Sequence, residues 1–289
     1  MHYFGIWFVV LAAMLWGISG GLAGILMEKD WDPLVISFYR GAVGLLCLSI
    51  WLLFKPKPKG EVSKRKTFLW SVLAGIGVAG NFSFYFLSIS QSGVAVASTL
   101  MYTAPLFVFI ISFFLHLERA TTFKVVSIFV VMIGIMLLTN VFEVGLGSLN
   151  LIGIISGLLS GLSYALFIFG FKFATEHGHP PFVLTVAFAA FTALMLTIID
   201  LDETVSVLRS DDLVWFITLG IIGAGISFFA YLEGLKKTKA SLAAVIAMVE
   251  PVTASLFGVL ILGEVLNGIQ VVGIVIILVT ITLLSKKQS

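Results

Sequence analysis

Charge is what this sequence has least of. Only 11% of its 289 residues are Asp, Glu, Lys or Arg, against 60% hydrophobic residues, and the mean hydropathy is +1.14. A water-soluble chain of this length cannot hide that much apolar surface, so lipid is its solvent. Cysteine is nearly absent. Cys47 stands alone, which excludes an internal disulfide and a cysteine metal cluster. There is no phosphate-binding loop, no HExxH pair and no serine elbow. The His and Glu content is too sparse for the clustered acids and histidines of an intramembrane enzyme. His177 and His179 beside Glu176 read as an ordinary solvated loop rather than a metal site. No catalytic residue, cofactor or metal is therefore expected. The sequence pI of about 8.6 traces to the loops on one side of a bilayer, so no nucleic-acid partner is implied.

What is abundant is long apolar sequence. A spanning helix needs about 20 apolar residues, and ten such runs lie near 4–26, 34–53, 67–88, 95–115, 121–139, 150–173, 180–200, 212–233, 240–262 and 267–285. The first is too long for a signal-peptide core and lacks a basic start, so it reads as a retained span. The spacers are short and leave nothing for a soluble domain. The expected fold class is all-α: a polytopic membrane protein of ten transmembrane helices.

Of the 17 Lys and Arg residues, all but Lys29, Arg209 and the intramembrane Arg40 fall on the side of the N-terminus. That bias predicts a multi-pass protein of the cytoplasmic membrane with both termini in the cytoplasm.

The chain also repeats itself. An offset of 146 brings Ala97 onto Ala243, Glu118 onto Glu264, Thr121 onto Asn267, Thr139 onto Ser285 and Tyr85 onto Tyr231. An offset of 148 brings Trp16 onto Tyr164 and Pro33 onto Pro181. Two five-helix repeats follow, 4–139 and 150–285. Five is odd, so the second repeat enters the bilayer from the opposite side. The loops agree: KPKPKGEVSKRK carries six Lys/Arg and one Glu, and its counterpart DLDETVSVLRSDD carries five acids and one Arg. This is the pattern of an inverted-topology repeat. Pro105 and Pro251 interrupt apolar runs at corresponding places, where each helix is expected to bend or open. Paired broken helices of this kind point to the binding site of a membrane carrier.

The opening LAAMLWGISG, the FYRGA of the second run, the MYTAPLF of the fourth and the VEPVTASLFGVLILGE of the ninth and tenth resemble EamA-type carriers of the drug/metabolite transporter superfamily. The resemblance covers nearly the whole chain. It implies an exporter-like fold with a central cavity and alternating access. HLER at the end of the fourth run departs from the pattern, where the second repeat has LGE.

The candidate site residues are the polar and amphipathic groups inside the runs. Glu250 lies about ten residues into the ninth run, or ~15 Å at the helical rise. A carboxylate there costs at least ~2.5 kcal/mol, so it faces a cavity, finds a partner or carries a proton. Its alternative role is to bond backbone groups freed at Pro251. Arg40 contacts an anionic group or Glu250, or else snorkels to the interface. Trp16, Asn81, Tyr85, Tyr102, Tyr164 and Tyr231 suit an aromatic pocket with a few polar tips, with ordinary helix packing as the alternative. Gly17/Gly21, Gly20/Gly24 and Gly153/Gly157/Gly161 are expected to form helix seams. Glu118 and Glu264 are expected to cap the helices that follow them.

The reading is a secondary transporter of small metabolites, amino acids or amphipathic drug-like solutes, directed outward. Its partners are a small-molecule substrate, the lipid bilayer and protons as coupling ion. The cavity is expected near runs 3, 4, 8 and 9, closed by runs 1 and 6. The alternatives are a passive facilitator or an intramembrane enzyme on lipid-linked substrates.

Overall fold

The computed structural model describes residues 2–54, 64–145 and 150–288. Residues 55–63, most of the basic loop after the second run, lie outside the described residues, as do the side chains of Lys64 and His177. Among the described residues there is no strand. The helices are α1 (His2–Met27), α2 (Pro33–Phe54), α3 (Lys64–Met101), α4 (Ala104–Phe114), α5 (Thr122–Leu138), α6 (Leu151–His177), α7 (Pro180–Met195), α8 (Leu201–Val207), α9 (Leu213–Gly220), α10 (Ser227–Leu235), α11 (Ala240–Ile246), α12 (Val249–Phe257) and α13 (Gly268–Gln288). A π-helical stretch, Ile221–Ile226, joins α9 to α10, and another, Gly258–Leu262, follows α12. Among the described residues, seven continuous stretches are long and apolar enough to cross a membrane; α4, α5 and α7 are apolar but shorter. The chain is a multi-pass membrane protein.

Short polar side chains start these helices by satisfying their first free N–H groups. Asp32 Oδ1 accepts from Leu34 N at 2.7 Å ahead of α2, and Asn150 Oδ1 from Ile152 N at 2.8 Å ahead of α6. Asn267 and Gln270 bond reciprocally, at 2.9 and 3.0 Å, ahead of α13.

The breaks fall in matching places. Gly93, at φ +79°, interrupts α3 in a left-handed conformation that suits glycine. Turns at Tyr102–Thr103 and at Ala247–Met248 separate the end of α3 from α4 and α11 from α12. Pro105 and Pro251 then sit in the first turns of α4 and α12, where a missing N–H leaves no hydrogen bond unmade.

Packing runs crosswise between the repeats. Helix α1 lies against α10 and α12, and its counterpart α6 lies along α3 and against α4. Helices α5 and α13 pair with each other, as do α2 and α7. A Cβ on Gly17 would meet Glu250 O and Thr253 Cβ at 2.6 Å, so glycine allows α1 to approach α12 this closely. The Gly153/Gly157/Gly161 row faces Ser92, Ser88, Leu100 and Thr103 of the α3 side. Gly20 and Gly24 instead face open space, which corrects the expectation that they line a seam.

Candidate functional site

A cavity of about 20 Å³ lies where the crossed helices meet. Trp16 of α1, Arg40 of α2, Asn81 and Phe82 of α3, Tyr164 and Phe167 of α6, Phe228 of α10 and Glu250 of α12 line it, with Val78. Helices α1 and α6, expected as lids, supply its central walls. Trp16 is the hub. Its ring centroid lies 4.9 Å from Tyr231, 5.0 Å from Phe228, 6.3 Å from Phe167 and 6.4 Å from Tyr164. Such edge-on and tilted pairs favour the ring quadrupoles and fix the ring planes.

The polar tips in this aromatic shell are largely unpaired. Trp16 Nε1, Tyr231 Oη and Ser227 Oγ are buried without a hydrogen-bond partner among the described residues, and the Glu250 carboxyl interacts with the Tyr164 hydroxyl. An unmade bond at a buried donor or acceptor costs about 1–3 kcal/mol. Most buried polar groups in folded proteins are paired; of these residues Trp16, Tyr164 and Glu250 line the gap, which at about 20 Å³ has room for about one water to complete the bonding. Glu250 stands in the first turn of α12, where the helix N-terminus favours negative charge.

Arg40 is held rather than free. Its Nε donates to Gly223 O at 3.0 Å, and its guanidinium lies 4.9 Å from the Phe82 ring centroid. Gly223 belongs to the π-helical stretch Ile221–Ile226, an irregularity common at functional sites. No Arg40–Glu250 ion pair within 4.0 Å occurs among the described residues. The two charges line one cavity and feel each other across it without a direct ion pair.

The other candidates divide. Asn81 lines the cavity, but its Nδ2 donates to Ser160 O and Oγ at 3.1 and 3.0 Å, and Ser160 Oγ donates back to Asn81 O at 2.9 Å. Its amide therefore also ties α3 to α6. Tyr85 Oη bonds Ser98 Oγ at 2.8 Å, bridging the two parts of α3 on either side of Gly93. Tyr102 is buried in the apolar core beside the first helix break. Tyr231 packs behind Trp16. Val78, Phe82, Phe167 and Phe228 had no sequence signal, because nothing marks four apolar residues among 26 Phe and many Val.

At the end of the molecule carrying the 115–121 and 236–239 turns, here called the basic face, Glu118 does not cap α5. Thr121 does that, accepting from Lys124 N at 3.4 Å. Glu118 instead accepts from Ser241 N of the other repeat at 3.2 Å, from Ser241 Oγ and from Lys124 Nζ. The Glu118 and Lys124 side chains are only 5% and 8% exposed. Burial pushes the Glu118 carboxyl up, but the bonds from Lys124 and Ser241 outweigh it and hold it below its ordinary value. Nearby, Lys172 Nζ donates to Leu235 O at 2.8 Å and Thr238 O at 2.9 Å. A cavity of about 470 Å³ opens beside these groups. At the opposite, acidic face, Asp212 accepts from Lys29 Nζ and from Trp31 Nε1, and Glu203 Oε1 accepts from Asp32 N at 2.7 Å. The hydrogen bonds from Lys29 and Trp31 hold the Asp212 carboxyl below its ordinary value.

The model of the EamA-like transporter family matches residues 3–140 and 151–286. A protein of Archaeoglobus fulgidus described as an uncharacterized transporter is 27% identical, over 92% of this chain and 90% of its own. Uncharacterized transporter YwfM of Bacillus subtilis is 23% identical, over 96% and 92%. A Clostridium kluyveri protein, likewise described as an uncharacterized transporter, is 25% identical, over 94% and 90%. A solved crystal structure superposes with a TM-score of 0.74 at 19% identity, covering 99% of this chain and 98% of that one. This last likeness bears on the fold alone.

Proposed function

The chain belongs to the EamA-like transporter family, and from that premise we propose that it is a secondary transporter working by alternating access. It makes ten passes through the cytoplasmic membrane in two inverted five-helix repeats, 4–139 and 150–285, with both termini in the cytoplasm. It moves a small metabolite, an amino acid or an amphipathic drug-like solute outward. The observation that supports this reading is a buried cavity built from both halves of the chain and lined by the unpaired Trp16 Nε1 together with Arg40, Tyr164 and Glu250. Aromatic walls bind the apolar part of a solute, and the polar tips fix its orientation. Arg40 and Glu250, which line the same cavity without a direct ion pair, offer complementary contacts to a solute carrying either or both charges.

Glu250 is the proposed proton carrier, because a carboxyl without a salt-bridge partner at membrane depth exchanges a proton more readily than a paired one. The test is flux in liposomes across a panel of amino acids, nucleosides, sugars and dyes. Saturable counterflow for at least one solute is expected, and its absence for the whole panel overturns the transport reading. Glu250→Gln is expected to lose the response of flux to a pH gradient. A full response retained by that variant removes proton coupling and leaves transport standing.

A further inference from the structure

The two proline-interrupted stretches do not sit symmetrically. Helix α11 packs on α4 and on α6 at the basic face. Adding or subtracting the repeat offset turns α11 into the end of α3, α4 into α12, and α6 into α1. Yet no comparable packing joins the end of α3 to α12 or to α1 among the described residues. The broken helices therefore lie together at one face and apart at the other.

The polar contacts share this asymmetry. At the basic face Glu118 of the first repeat takes the backbone N–H and hydroxyl of Ser241 in the second, with Lys124 balancing its charge. Lys172 of α6 crosses to the carbonyls of Leu235 and Thr238 after α10. The repeat mates of these residues at the acidic face are Glu264, Ala95, Gln270 and Gly24. Glu264 is exposed, and Ala95 has no hydroxyl to offer it. Gln270 is neutral and engaged with Asn267 N and Leu138 O. Gly24 has no side chain and faces open space. The acidic-face bonds of Asp212 and Glu203 do not substitute, because they join the α1–α2 turn to segments leading into α9, which already packs on α1 and α2.

We propose that Glu118, Lys124, Ser241 and Lys172 form a one-sided gate that ties the two repeats together at the basic face, beneath the cavity that Glu118 and Lys172 line, with no chemically equivalent gate among the described residues at the acidic face. The inference rests on the alternating-access reading and adds the residues, outside the solute cavity, that set at which face the repeats are held together at rest. Exchange of the two repeats' conformations breaks charge-assisted bonds on one side and forms none of the same kind on the other. The resting protein is biased toward the state seen here.

The gate is tested without any substrate. In a Cys47→Ala background, Arg119→Cys and Lys239→Cys place spin labels at exposed positions on the two sides of the gate, and pulsed electron resonance in lipid nanodiscs reads their distance. With the gate intact one short, narrow distance is expected. Glu118→Gln, and separately Lys172→Met, are expected to add a longer-distance population and raise the ratio of separated to closed forms about tenfold. Glu118→Gln leaves Lys124 without its counter-charge and can fail to fold. Ser241→Ala keeps that pair and is expected to shift the ratio in the same direction by less. A longer-distance population in Ser241→Ala or Glu118→Gln supports the gate. An unchanged distribution in both overturns it, and a lowered melting temperature without a distance change assigns these residues to packing alone. Because the readout needs no solute, failure of the gate leaves the flux panel unaffected, and failure of the panel leaves the measured distances as they are.

Discussion

Trp16 and Tyr164 occupy equivalent places in the two repeats, and they meet edge to face across the central cavity, with centroids 6.4 Å apart and ring planes at 89°. The 148-residue offset thus converges on a pair of aromatic rings, of which the Trp16 Nε1 tip is unpaired among the described residues and the Tyr164 hydroxyl interacts with the Glu250 carboxyl. Stability and transport make opposite demands at such a place.

Tyr231→Phe removes a buried hydroxyl that bonds nothing among the described residues. Deleting an unsatisfied polar atom is neutral or stabilising, here by up to ~1 kcal/mol. We expect an equal or slightly higher melting temperature in detergent together with solute flux reduced about tenfold or more. A lower melting temperature assigns the hydroxyl to the fold.

Arg40→Lys is expected to behave as a loss-of-function substitution. The planar guanidinium both donates through Nε to Gly223 O and lies against the Phe82 ring, and an ammonium cannot reproduce both contacts. The expected result is flux as low as that of Arg40→Met. Flux within about twofold of the parent in Arg40→Lys shows that charge alone suffices.

Two neighbouring glycines are expected to respond differently. Gly17→Ala forces a methyl group to within 2.6 Å of the α12 backbone, and overpacking of this kind costs about 1–3 kcal/mol. Gly20→Ala enters open space and is expected to change stability by no more than about 0.5 kcal/mol. Thermal melting of the two variants side by side checks the contrast, and equal melting temperatures contradict the close α1–α12 approach.

The gate has a defined pH window. The Glu118 carboxyl is held below its ordinary value of 4.5, so its ionised form is favoured by the folded, gated state. A depressed folded value means the contribution is complete above the unfolded value and is lost as pH falls through the lower, folded one. The charged groups around it are Lys124, which bonds it, and Lys172, Glu176, Lys236, Lys237 and Lys239, which line the adjoining cavity. The short label distance across the gate is therefore expected to be constant from neutral pH down to about 5. The longer population appears only under stronger acid. Opening between pH 8 and 6 contradicts the assignment to Glu118.

Much of the fold could be read from the residues. Low charge and long apolar runs specify a multi-pass helical membrane protein, and the EamA resemblance in LAAMLWGISG, MYTAPLF and VEPVTASLFGVLILGE agrees with the family match across the chain. The ungapped register between Ala97–Thr139 and Ala243–Ser285 located both helix breaks to within a turn. The site was legible only where chemistry is rare. Trp16, Arg40 and Glu250 stand out because a charge or an indole inside an apolar run needs a reason. Phe167 and Phe228 do not stand out, because phenylalanine on a lipid-embedded helix has the same composition whether it faces lipid or a cavity. Ser241 as the partner of Glu118 was invisible for a different reason. A contact 123 residues apart depends on how the repeats cross, and spacing along one helix carries no record of that. Gly20 and Gly24 misled because a four-residue interval shows that two glycines share a face, not that the face has a neighbour.

The crosswise seating of α1 on α10 and α12, and of α6 on α3 and α4, has a consequence for biosynthesis. The surfaces on which α1 packs, in α10 and α12, follow it by some 200 residues, so the first half of the chain is expected not to complete its packing until the second half is made. Two fragments divided in the 140–150 connection are expected to recover a protease-resistant bundle only when both are produced in the same membrane.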